Sequence, residues 1–280
     1  MGIYLIIILV IISLSVAYHY YKIKKQTVLK HNGLKNVTEI KLLISDIQTH
    51  RGLSSAWLNG DESKKSTLSN IKQNISTKIQ YLEQQDSVNI RSRWKSFLDH
   101  WGRLNKSDST RDPENNFIQH TQVISNLLYL LEDEAETSQL NAIAIPEFPN
   151  IGLVWRELAV TAEKIGQSRA IGTGVTTRQY CSSVHKIRLS FLKQHIEETM
   201  NEILSKLSYV DCFSHEHEQL LKDAKLKMEF LTLTMEHDLI TPDEITINQD
   251  EYFNLATNAM IILDRIFAHQ IKQIKHIISD

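Results

Sequence analysis

The sequence predicts an all-α protein in which an N-terminal transmembrane helix is followed by two antiparallel helical bundles of the four-helix type. Three observations carry this expectation. The 280 residues include only nine glycines and four prolines, against roughly twenty and fourteen at average usage, too few turn formers for a sandwich, a barrel or a repeated strand–helix–strand fold. Apolar residues recur in steps of three and four along most of the chain, the period of a helix with one buried face. The segment from Ile3 to Tyr18 is uncharged and almost wholly aliphatic, which is the composition of a membrane span.

Taken in order, Ile3 to Tyr18 carries no charge, and extended through Tyr21 it reaches roughly 28 Å as a helix, close to the thickness of a bilayer core. A cleavable leader would show a basic start and a small-residue cleavage site; here Ala17 leads into Tyr18-His19-Tyr20-Tyr21, so the segment is expected to stay attached. The aromatic cluster suits the membrane interface. Lys22, Lys24 and Lys25 follow it directly, and the positive-inside rule then places a single-pass protein in the cell (inner) membrane with its body in the cytoplasm.

Along the next segment, Val37, Ile40, Ile44, Ile47, Arg51, Ser54 and Leu58 form a seam with one charge in it. Helices are expected at about 63–85 and 90–104, the latter with Trp94, Phe97, Leu98 and Trp101 on one face. Asp112-Pro113-Glu114 has the form of a helix start, with an N-cap, a proline at the first position and an early acid. The stretch 142–152 holds two of the four prolines and little periodicity, and it marks the expected linker. The division is therefore an anchor at 1–21, a first bundle at 22–141, the linker at 142–152 and a second bundle at 153–280. In the second bundle the seam Leu158, Ala162, Ile165, Arg169, Gly172, Thr176 repeats the pattern of the first, again with an arginine inside it. Three more helices follow, with stripes through Leu189 to Leu207, Leu220 to Met235, and Phe253 to Ile274.

Composition excludes several functions. Thirty-one basic and 33 acidic side chains give no electrostatic footprint for nucleic acid. Cys181 and Cys212 form no metal or redox motif and are expected as buried helix residues. Gly172-Thr173-Gly174 has no preceding strand and no following lysine, so it is no phosphate loop. His215-Glu216-His217-Glu218 is expected as a solvated helix start, because residues two apart on a helix diverge. No nucleophile and base stand at a recognisable spacing, and no enzyme activity, cofactor or metal is expected.

Arg51 and Arg169 are the informative residues. A guanidinium on a helix seam is partly desolvated and needs either a core acid or a bound anion. Its planar forked donors suit a planar oxyanion, and the hydroxyls and amide of Gln48, Ser54, Thr173 and Thr176 stand close enough in sequence to complete a shell. Spacing alone leaves both readings open.

The segment from Gln48 to Asp61, with its Arg51-Gly52 pair followed by small residues, resembles the first signature of the nitrate- and nitrite-sensing (NIT) domain. Glu163 to Gly172 is similar to that family's second arginine signature, and Glu251 to Thr257 resembles its closing-helix pattern. The resemblance runs from about Leu34 to Ile278. It implies an all-α sensor of two four-helix bundles that binds nitrate or nitrite between them, with Arg51 and Arg169 as the anion ligands. Membrane receptors with this domain often hold it in the periplasm, the alternative to the cytoplasmic placement. Relatives usually continue into an output module; here the signal is expected to pass to a separate protein, and tethering to a membrane favours a homodimer through the opening helix. The competing expectation is a membrane-tethered scaffold without a small-molecule ligand, in which both arginines sit in internal salt bridges.

Overall fold

The computed structural model describes residues 2–106 and 112–279; Met1 and Asp280, the outer bounds of the expected anchor and second bundle, lie outside them. The fold is all-α, with no strand among the described residues. The first helix, α1 (Gly2–Leu58), runs unbroken for 57 residues, so the apolar segment and the first helix of the body are one rod. Its N-terminal part is long and apolar enough to cross a membrane, and residues 6–25 pack against nothing in the protein. So much exposed aliphatic surface is not tolerated in water but is what a bilayer solvates. Ser13 donates its hydroxyl to the carbonyl of Val10 at 2.9 Å, which satisfies the group within the helix.

Gly60, with φ of +99°, turns the chain after α1 into α2 (Lys65–Glu83), the single turn α3 (Asp86–Asn89), α4 (Ser92–Lys106) and α5 (Pro113–Thr137). The expected helix start at Asp112 is present: its carboxylate accepts from the backbone N–H of Glu114 and Asn115, and Pro113 occupies the first position, where no N–H is needed. α1 packs on α2 and α5, and α4 on α5. Residues 138–151 then run in turns held inward by Ile145, Phe148 and Ile151. A π-helical turn (Val154–Leu158) leads into α6 (Ala159–Arg178), which ends at Gln179 in the left-handed region. α7 (Ser183–Glu198), α8 (Ser214–Thr234) and α9 (Gln249–Ser279) complete the chain. α6 packs on α7 and α9, and α8 on α9, while α1 also reaches α6 and α9 and joins the two groups.

The seam on α1 is spent inside the molecule. Val37, Ile40, Ile44 and Ile47 are fully buried against the chain's own helices, so that face is closed to a second copy and a dimer would need another surface. Trp94, Trp101 and Trp155 are core residues as their spacing indicates, and the Trp155 indole donates to the carbonyl of Leu140 at 3.0 Å.

Four expectations are corrected. The stripe on α7 is Leu189, Leu192 and Ile196, but beyond it Leu204 is buried and Ile203 is not: a π-helical turn at Thr199–Ile203 inserts extra residues and shifts the buried face. At the start of α9 the buried aromatic is Tyr252, not Phe253, which is 41% exposed. Neither cysteine lies in an α-helix; Cys181 is buried between α6 and α7, whereas Cys212 is exposed in a short 3-10 turn. His217 is buried, not solvated, and stacks between Tyr209 and His269.

Candidate functional site

Arg51 and Arg169 reach the same region from α1 and α6. Arg51 sits on the seam face of α1, where the helix period aims it at α5 and α6, and only 1% of it is exposed. Its two terminal nitrogens grip the carboxylate of Glu163 on α6, Nη1 to Oε1 at 2.6 Å and Nη2 to Oε2 at 3.2 Å. Nη1 also donates to the hydroxyl of Thr121 at 3.2 Å, and the guanidinium lies 5.4 Å from the centre of the Phe117 ring. Gly166, one turn along α6 from Glu163, makes room for the fork: a Cβ there would stand 2.9 Å from Nη2.

Glu163 is itself 2% exposed and is held from two further directions. The Gln48 amide donates to Oε2 at 2.8 Å and the Gln167 amide to Oε1 at 2.9 Å. A buried carboxylate is stable only when its lone pairs are used in this way. The same helix face that carries Glu163 is therefore bonded across to α1.

Arg169 is half-buried and differently placed. Its Nη1 donates to the Thr257 hydroxyl of α9 at 3.0 Å, and the guanidinium lies 5.0 Å from the centre of the Phe253 ring. Among the described residues it makes no ion pair with an acid. Burial and, after it, the Arg51 charge push its pKa down to about 10, against the opposing effect of Glu163. One turn on, the Thr173 hydroxyl is buried and unpartnered. Tyr252 packs directly on Gly172, where a Cβ would meet the ring at 2.1 Å, and its hydroxyl donates to the carbonyl of Ser168 at 3.1 Å. This closes α9 onto α6 beside Arg169.

Of the residues the sequence singles out, Gln48 faces the charge cluster through Glu163, and Thr173 carries the unused hydroxyl. Ser54 and Thr176 point their bonds elsewhere. The Ser54 hydroxyl accepts from the Asn116 amide at 3.0 Å and lies 3.2 Å from the carbonyl of Arg51, and Thr176 donates to the carbonyl of Thr173 at 3.0 Å. Glu163, Gln167, Thr121 and Thr257 are participants that sequence reading did not single out. The residue before Arg51 contributes too: His50 and His120 are both fully buried and share a hydrogen bond of 2.8 Å, under the edge of Trp101.

Chemically, the cluster holds two guanidiniums and one carboxylate in a region shielded from water, a balance of one uncompensated positive charge. The depressed pKa of Arg169 comes first from burial, and the Arg51 charge adds to it. A small monovalent anion would cancel it, and at low effective dielectric that attraction is much stronger than at a surface. Among the described residues no group of three or more His, Cys, Asp or Glu side chains is arranged to hold a metal. A shallow groove on the far face of α8 and α9, lined by Phe230, Leu233, His237 and Leu255, shares no residue with this cluster.

Comparison with known proteins bears on the same segments. A family profile described as nitrate and nitrite sensing matches residues 42–267. A solved structure, that of the NasR transcription antiterminator, is similar with a TM-score of 0.58 at 14% identity, over 95% of this chain and 74% of that one, a likeness of fold. No curated protein matches the chain.

Proposed function

The chain belongs to the nitrate and nitrite sensing (NIT) family, and on that premise we propose that it is a membrane-anchored sensor binding nitrate or nitrite at Arg51 and Arg169. The supporting observation is the charge imbalance: two guanidiniums within reach of one buried carboxylate, with the Arg169 pKa held down to about 10. In this reading Arg51 and Arg169 are the anion ligands, Thr173 supplies a hydroxyl donor, Thr257 positions Arg169 by accepting from it, and Gln48 acts through Glu163. The ligand lies between a first bundle (22–141) and a second (153–280), on either side of the 142–152 linker, and draws α1, α6 and α9 together. The protein is a sensor, not a catalyst. It passes its state to a separate protein, as a homodimer whose contact lies outside the buried seam of α1. The apolar part of α1 anchors it in the inner membrane, and the lysines behind the span favour a cytoplasmic body. A reporter fused to the C-terminus that fluoresces only in the cytoplasm tests this placement; a dark fusion beside an active periplasmic phosphatase fusion contradicts it.

The closed Arg51–Glu163 pair favours a second reading, a tethered scaffold whose arginine is satisfied internally. Melting curves of the detergent-solubilised protein with nitrate, nitrite, chloride and sulfate separate the two. A ligand that binds only the native state raises the melting temperature by mass action, so the sensor shows a rise with nitrate or nitrite beyond that with equal chloride, and the scaffold shows none.

A further inference from the structure

We infer that Glu163 occupies, in the anion-free protein, the position that the ligand takes on Arg51, and that it thereby determines the affinity of the site and its preference for planar monoanions. The inference rests on the nitrate-binding reading of Arg51 and Arg169. The geometry leaves little choice. The Glu163 carboxylate meets the fork of Arg51 with both oxygens, at 2.6 and 3.2 Å, the bidentate arrangement a planar oxyanion would use. The surroundings of the fork are closed: Thr121 takes Nη1, Nη2 sits so near Gly166 that a Cβ there would meet it at 2.9 Å, and the Phe117 ring lies beside the guanidinium. An anion arriving next to Arg169 therefore finds no open fork on Arg51. Arg51 becomes a ligand only if Glu163 lets go.

The carboxylate has somewhere to go. It already accepts from Gln48 and Gln167, so on release it keeps two amide donors and stays in the field of Arg169. Before exchange the cluster carries one net positive charge; with an anion on Arg51 and Glu163 still ionised, it is neutral. The exchange also breaks the Arg51–Glu163 ion pair between α1 and α6, leaves the Gln48–Glu163 bond, and adds a link through the ligand, so occupancy changes how these helices are joined. A slot that fits the flat carboxylate group fits nitrate or nitrite and does not fit tetrahedral sulfate.

The test is calorimetric titration of nitrate into the full-length protein in detergent, for the parent, Glu163→Gln and Gln167→Leu. Removing the competing charge should tighten nitrate binding by at least about tenfold in Glu163→Gln, roughly 1.4 kcal/mol. Removing an amide donor that the released carboxylate keeps should weaken it a few-fold in Gln167→Leu. Infrared difference spectra should show a nitrate-induced shift of a carboxylate band in the parent that Glu163→Gln lacks. If the parent binds nitrate and Glu163→Gln binds it equally, the anion adds beside the pair and the inference fails alone. Weaker binding makes Glu163 an orienting residue for Arg51 and overturns the inference too. If no variant binds nitrate, the site reading fails and takes the inference with it. Should Glu163→Gln not fold, Gln167→Leu decides: weaker binding supports the exchange, unchanged or tighter binding overturns it.

Discussion

The two arginine centres are built to opposite standards. Around Arg51 every strong bond is closed: the guanidinium holds Glu163, Glu163 holds two amides, and the neighbouring His50 and His120 bond each other. Around Arg169 the bonds are left open: one hydroxyl, one ring, no acid, and a buried Thr173 hydroxyl without a partner. A second histidine pair, His217 and His269, faces ring to ring with centres 5.6 Å apart, and His269 Nδ1 lies 3.5 Å from the Glu216 carboxylate. Unsatisfied polar groups in a folded interior cost free energy. In the proposed reading, the open centre beside the closed one is where a ligand, not packing, completes the structure.

The sharpest way to break this contrast is to remove Arg51. Arg51→Leu leaves the Glu163 carboxylate buried and uncompensated, and should destabilise the protein by about 3–5 kcal/mol in denaturant titration. The double variant Arg51→Leu/Glu163→Leu should recover most of that loss; a loss equal to the single variant would mean that packing, not charge, holds the pair. Next comes Gly172→Ala, whose methyl group would collide with the Tyr252 ring. Overpacking of this kind costs about 1–3 kcal/mol, and because it pushes α9 away from α6 it should also weaken nitrate binding, while Gly52→Ala, where a Cβ meets nothing within 4 Å, changes neither.

Arg169→Leu is the counterpart to Arg51→Leu and should shift stability by less than about 1 kcal/mol, or raise it, because a half-buried cation without an acid disappears. A loss as large as that of Arg51→Leu would erase the contrast. The smallest effect is on pH. Burial lowers the pKa of His217 and His269, with the neighbouring charge on His269 lowering His217 further and Glu216 raising His269 against Lys272. Each is a base whose folded value lies below 6.5, so the unfolded chain takes up protons first as pH falls. Their contribution is intact above pH 6.5 and is lost as pH drops below it towards the lowered values. The melting temperature should therefore fall on acidification from pH 6.5, and less so in His217→Leu/His269→Leu.

Much of this fold was legible because it is local. The start of α5 at Asp112-Pro113, the stripe Leu220, Ala224, Met228 and Leu231 on α8, and the seam Val37 to Ile47 on α1 all follow from helical spacing, and each is buried as that spacing requires. The arginines stood out for the same reason, as charges inside an apolar seam. Glu163 did not, because what makes it significant is its register against Arg51, 112 residues away, and no periodicity records how one helix lies on another. Tyr252 and Phe253 show the finer limit. A one-residue rotation of α9 puts one ring in the core and the other over Arg169, and both patterns satisfy steps of three and four. The π turn at Thr199–Ile203 was hidden for a related reason, since its sequence Thr-Met-Asn-Glu-Ile carries no proline or glycine to announce it.

The central claim is that Arg169 is held short of a partner so that an anion can supply one. Calorimetric titration of nitrate into full-length protein in detergent, with Arg169→Leu alongside, tests it directly. The account predicts saturable one-to-one binding in the parent and none in Arg169→Leu, with both proteins folded by circular dichroism and of nearly equal stability. A parent that gives no binding heat at millimolar nitrate, or an Arg169→Leu variant that binds as well as the parent, would contradict it.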